Sequence, residues 1–133
     1  MKKLLTISAV LLALALPAFA AGPVHLPDSS YKKVSSLVKL PDFIPGMGSL
    51  YVNPSTLPVG PFLAYDRAGT LVATIYMVPI GDMDNHKNFN GLTVGSNVVK
   101  KVDISFNPGH PGVEVPHYHI TVWHVSPESA KLK

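Results

Sequence analysis

Proline sets the first limit on what this chain can fold into. Between Ala21 and Pro61, Pro23, Pro27, Pro41, Pro45, Pro54, Pro58 and Pro61 recur at short intervals. Each fixes its own φ, removes an N–H donor and biases the preceding residue away from the helical region. A long helix is therefore excluded from this stretch, and most of it is expected to be loop. The exception is Ser29 to Leu40, where Tyr31, Val34, Leu37 and Val38 recur at helical spacing after a capping candidate at Asp28, Ser29 or Ser30. That pattern predicts one short N-terminal amphipathic helix.

The remaining periodicity is that of strands. Ser49 to Val52, Phe62 to Tyr65 and Leu71 to Pro79 are rich in β-branched and aromatic residues. The turn-like Asp66-Arg67-Ala68-Gly69 joins the last two into an expected antiparallel hairpin. Asp82 to Gly95 is polar and predicts a long connection with one helical turn around His86 to Phe89. Lys101 to Phe106 alternates, with Val102, Ile104 and Phe106 on one face, and predicts a half-buried strand. His117 to Val125 predicts the last strand, with Tyr118, Ile120 and Val122 as core residues on one face. Because no helical crossovers separate the later strands, the expected class is mostly β: a compact antiparallel β-sandwich or small barrel with one short N-terminal helix.

The start of the chain has a different purpose. Lys2 and Lys3 are followed by an apolar run from Leu4 to Leu16 and by Ala18-Phe19-Ala20, the three parts of an export signal in order. The run is shorter than the roughly 20 residues of a spanning helix and ends at Pro17. Residues 1–20 are thus expected to be a cleaved signal peptide and residues 21–133 a single β-rich domain, periplasmic or secreted, with no membrane contact after cleavage. The chain has no cysteine, so neither a lipid anchor through a lipobox nor a disulfide is available. Lys2 and Lys3 leave with the signal, so nine basic side chains face eight acidic ones in the mature chain. With Lys32-Lys33 and Lys100-Lys101 as isolated pairs, no nucleic-acid partner is expected.

Candidate chemistry lies between His110 and His124, which hold four of the six histidines. His117 and His119 are two apart in a strand, so both side chains leave one face with Cα atoms roughly 6.5–7 Å apart, within reach of one metal ion. The loop Asn107-Pro108-Gly109-His110-Pro111-Gly112 can fold His110 back over that face, and Glu114 can add an oxygen ligand. Three nitrogens and one oxygen suit zinc or copper. His124 has the opposite parity, faces the other side in a regular strand, and would join only through a bulge. Packed neutral imidazoles, or a pH-sensitive cluster, are the competing readings. Weaker constellations have simpler explanations. Gly46-Met47-Gly48-Ser49 lacks the order of a nucleophile elbow. Asp82-Met83-Asp84-Asn85-His86 lacks the later glycine and glutamate of a calcium loop, and Met47, Met77 and Met83 are chiefly core filler.

The segment Gly112-Val113-Glu114-Val115-Pro116-His117-Tyr118-His119 resembles the first metal motif of cupins. In cupins a carboxylate follows the pair, where this chain has Trp123 and His124, so further ligands would come from earlier strands or a neighbouring subunit. More of the chain resembles a family of small exported bacterial proteins of unknown function, the TTHB-like periplasmic domain. The resemblance is carried by Ile44-Pro45-Gly46-Met47-Gly48 with Tyr51-Val52-Asn53-Pro54, Gly60-Pro61, Tyr76-Met77-Val78-Pro79, Val102-Asp103-Ile104-Ser105-Phe106, and Gly109-His110-Pro111-Gly112 through Pro116-His117-Tyr118. That family tends to continue with Asp and His where this chain has His119 and Thr121. The resemblance implies a compact, self-associating periplasmic β domain with histidine and acidic side chains gathered at one site. The expected function is a non-catalytic zinc- or copper-binding protein, expected to be a homo-oligomer. The alternatives are a self-associating structural or stress-related envelope protein with packed histidines, and a small cupin-like metal-dependent enzyme. The sequence specifies no small-molecule ligand.

Overall fold

The computed structural model describes residues 27–94, 98–128, 130 and 132–133; the expected signal at residues 1–20 lies outside them. Its strands are β1 (Lys32–Lys33), β2 (Ser49–Val52), β3 (Phe62–Tyr65), β4 (Leu71–Pro79), β5 (Lys101–Asn107) and β6 (His117–Trp123), and a short helix α1 (Ile80–Asp84) follows β4. All six strands pair antiparallel in one sheet ordered β1-β2-β3-β4-β6-β5. The mostly antiparallel β class is the one the sequence predicts. Among the described residues, no helix is long and apolar enough to cross a membrane.

The β3–β4 hairpin closes where its turn residues require. Asp66 Oδ1 accepts the N–H groups of Ala68 and Thr70, both at 2.9 Å, and so satisfies the turn's own backbone. One face of the sheet carries the core: Leu50, Val52, Phe62, Ala64, Ala73, Ile75 and Met77, closed over by Val34, Val113 and Leu132. Burying a side chain such as Ile75 or Val52 contributes about 1.5–3 kcal/mol each. On the other face Thr74, Tyr76 and Val78 are also buried, which makes β4 continuously buried from Val72 to Val78. The connection after α1 crosses this second face. The Tyr76 hydroxyl donates to the Thr93 carbonyl, and Lys100 N–H donates to the Trp123 carbonyl at 2.7 Å.

Three local expectations are corrected. The N-terminal helix predicted over Ser29 to Leu40 contracts to a 3-10 turn at Val34–Ser36. Lys32 and Lys33 pair instead with Val52 and Tyr51, because the edge of β2 offers backbone partners that an isolated short helix lacks. The helical turn predicted at His86 to Phe89 forms earlier, at Ile80–Asp84. Its end is set by His86, whose φ of 58° is left-handed. Finally, β5 alternates as expected, but its apolar residues are not buried: Val102, Ile104 and Phe106 are 52%, 67% and 57% exposed. The register with β6 places Lys101, Asp103, Ser105 and Asn107 on the core side, beside Trp123, Thr121, His119 and His117. The covering connection does not bury the stripe on the opposite side.

Candidate metal centre

His117 and His119 lie on β6, an interior strand between β4 and β5, and share the core face with their partners Pro79 and Met77 on β4. Interior position on the sheet explains their burial: His117 is 0% and His119 8% exposed. His110 arrives from the loop. It forms a two-bond bridge with Val113, N–H to O at 3.0 Å in each direction, around a Pro111-Gly112 turn. Gly112 has φ 91°, so proline followed by a left-handed glycine fits a type II turn. Just before it, Gly109 has φ 128°, and a Cβ there would meet the Glu114 carbonyl oxygen at 2.6 Å. Only glycine lets the two arms of this loop close and swing His110 over the sheet.

The three rings converge through the same atom. His117 Nε2 is 2.9 Å from His119 Nε2, and His110 Nε2 is 3.3 Å from it. One ligand atom from each residue lies within 4.8 Å of the others. Two nitrogens on one tetrahedral zinc, each bonded at about 2.0–2.1 Å, lie about 3.3–3.4 Å apart, close to both separations from His119. The far ring nitrogens are anchored. His117 Nδ1 is 2.7 Å from the Val115 carbonyl and His110 Nδ1 is 3.1 Å from the Pro111 carbonyl. A carbonyl only accepts, so both Nδ1 atoms carry a proton, and in the neutral imidazole Nε2 then presents its lone pair. Backbone anchoring of this kind orients a metal-binding imidazole. Burial, with His117 and His110 close by, pushes the His119 imidazole down to about 4, so it is neutral and competent to ligate near pH 7.

Neither family models nor curated proteins match the sequence. Among solved structures, the chain is similar to the crystal structure of hypothetical protein TTHB210 from Thermus thermophilus. The two share 44% identity with a TM-score of 0.61 over 69% of this chain and 90% of that one. The chain belongs to the TTHB210 family. What this TTHB210-family member can do chemically rests on its own side chains.

Of the five residues singled out as ligands, the fold brings three together. Glu114 is exposed and lies outside the trio. His124 is buried on the opposite face, as its parity predicts. Its Nε2 is 2.8 Å from Thr74 Oγ1 and its Nδ1 3.4 Å from the Val98 carbonyl, so it is a packed and satisfied histidine. Two features have no clear sequence signal: the anchoring carbonyls of Pro111 and Val115, and an apolar cavity of about 230 Å³ beside the trio. The cavity has His110, His119 and Asn107 in its wall, and its other walls come from loop and strand residues far apart in sequence, including Val34, Val38, Leu50 and Met77.

Proposed function

We propose that the mature chain is an exported, non-catalytic transition-metal-binding protein in which His110, His117 and His119 hold zinc or copper. The observation that carries this reading is the convergence of three Nε2 atoms, with contacts of 2.9 and 3.3 Å, while two of the three rings donate Nδ1–H to backbone carbonyls. A cation is the natural partner for lone pairs so arranged. Export rests on the order of charged, apolar and small residues in 1–20, which puts the chain in the periplasm or outside the cell. Self-association is part of the proposal. The exposed stripe of Val102, Ile104 and Phe106 continues into Tyr118, whose ring meets Phe106 edge-on at 6.0 Å between centroids, and such patches mark contact surfaces.

The test is titration of zinc and copper into residues 21–133, for the natural chain and for a His117→Gln/His119→Gln double variant. The expected result is one ion per chain for the natural sequence and none for the variant. Equal stoichiometry in both would contradict the site. A second reading is favoured by one detail: a proton on His119 Nε2 can donate to His117 at 2.9 Å, giving a metal-free packed network in a self-associating envelope protein. That reading predicts no uptake of either metal and a melt unaffected by chelator.

A further inference from the structure

We infer that the apolar cavity receives the hydrocarbon tail of a small carboxylate whose head occupies the open position on the metal; this rests on the metal reading above. Three histidines leave a tetrahedral ion one ligand short. Glu114, the nearest carboxylate in sequence to the trio, stays outside it. The trio adjoins a cavity of about 230 Å³ whose polar wall residues are Asn107, His110 and His119, while the rest of the lining is apolar apart from the turn glycine. The cavity and the ligand strand are continuous, because Met77 of the wall is the register partner of His119. One end can therefore bind a polar head and the other an apolar tail.

The chemistry of the head follows from charge. A divalent ion on three neutral imidazoles keeps its full charge beside apolar walls, and an anionic oxygen offsets part of it. The size of the tail follows from volume. An apolar cavity of about 150 Å³ accepts benzene, so about 230 Å³ has room for roughly seven to nine carbons. Octanoate matches both requirements, whereas acetate supplies the head alone.

Calorimetric titration of residues 21–133 with octanoate and acetate, with and without one equivalent of zinc, tests the inference. The zinc-loaded chain is expected to bind one octanoate at least ten-fold more tightly than acetate, and removing zinc should weaken octanoate at least ten-fold. Val38→Phe and Leu57→Trp, at half-buried and exposed positions of the cavity wall, should each weaken octanoate about ten-fold with zinc stoichiometry unchanged. Zinc bound one to one with no preference for octanoate overturns this inference and leaves the metal site standing. Octanoate binding that ignores zinc overturns the placement of its head, and octanoate binding unchanged in both variants overturns the placement of its tail. Absence of zinc uptake overturns the metal reading and this inference with it.

Discussion

A neutral imidazole carries one proton, and His110 and His117 both commit theirs to backbone carbonyls. What is left at the centre is a set of lone pairs with at most the His119 proton between them. Removing one ligand should be costly: His110→Gln is predicted to weaken zinc by about 10- to 100-fold or more, since losing even an outer partner of a ligand has that effect. Competition with a chelator of known affinity reads this directly. The opposite face supplies the contrast. Thr74→Val leaves His124 Nε2 buried without its 2.8 Å partner and should destabilise the fold by about 1–3 kcal/mol. Zinc stoichiometry should not change, and a denaturant midpoint measured beside a metal titration separates the two effects. At this scale the His117/His119 pair and the opposite placement of His124 were legible, because strand parity alone decides them. The exposure of Glu114 was not, because in an irregular proline and glycine loop residue type carries no parity from which a facing can be read.

Strand β5 shows how an element can be read correctly in pattern and wrongly in burial. Its alternation is visible in the sequence, but which side meets the core depends on its pairing with β6. Trp123 Nε1–H donates to Asp103 Oδ2 at 2.8 Å and Lys101 Nζ lies 3.1 Å from the same oxygen, so the polar side lies over the core face of β6 while Lys101 and Ser105 stay exposed. The strands β2, β3 and β4 were legible because each has turn residues at its ends, whereas the N-terminal helix lost to pairing with β2, a partner remote in sequence. Two predictions belong here. Ile104→Glu, in the middle of the exposed stripe, should lower the oligomeric state measured by analytical ultracentrifugation while leaving the fold intact; an unchanged oligomer would remove the stripe from the interface. Lys101 and then Trp123 hold the Asp103 carboxyl below its usual range. A depressed carboxylate contributes stability that is complete above its unfolded value, about pH 4, and is lost as pH falls through the lower folded value. Fluorescence of Trp123, the one tryptophan in the chain, should therefore change in that acid window, with Asp103→Asn diminishing the change.

For the whole molecule, a metal held as proposed by β6 and the His110 loop would tie the last strand to the loop that precedes it. Binding to the folded state alone adds about 2.7 kcal/mol when free metal is 100-fold above Kd. For a domain near 100 residues that raises Tm by about 10–20 °C, and EDTA should remove the gain. The β class and the shared face of the histidine pair were open to sequence reasoning because they follow from composition and parity. The cavity was not, since its walls come from segments between Val34 and His119 that only the folded sheet brings together. The most direct measurement is elemental analysis of the mature protein purified from the exported fraction without a histidine tag. Close to one zinc or copper per chain is expected, lost in the His117→Gln/His119→Gln variant. A natural chain that carries no metal and takes up none on titration would contradict the metal reading.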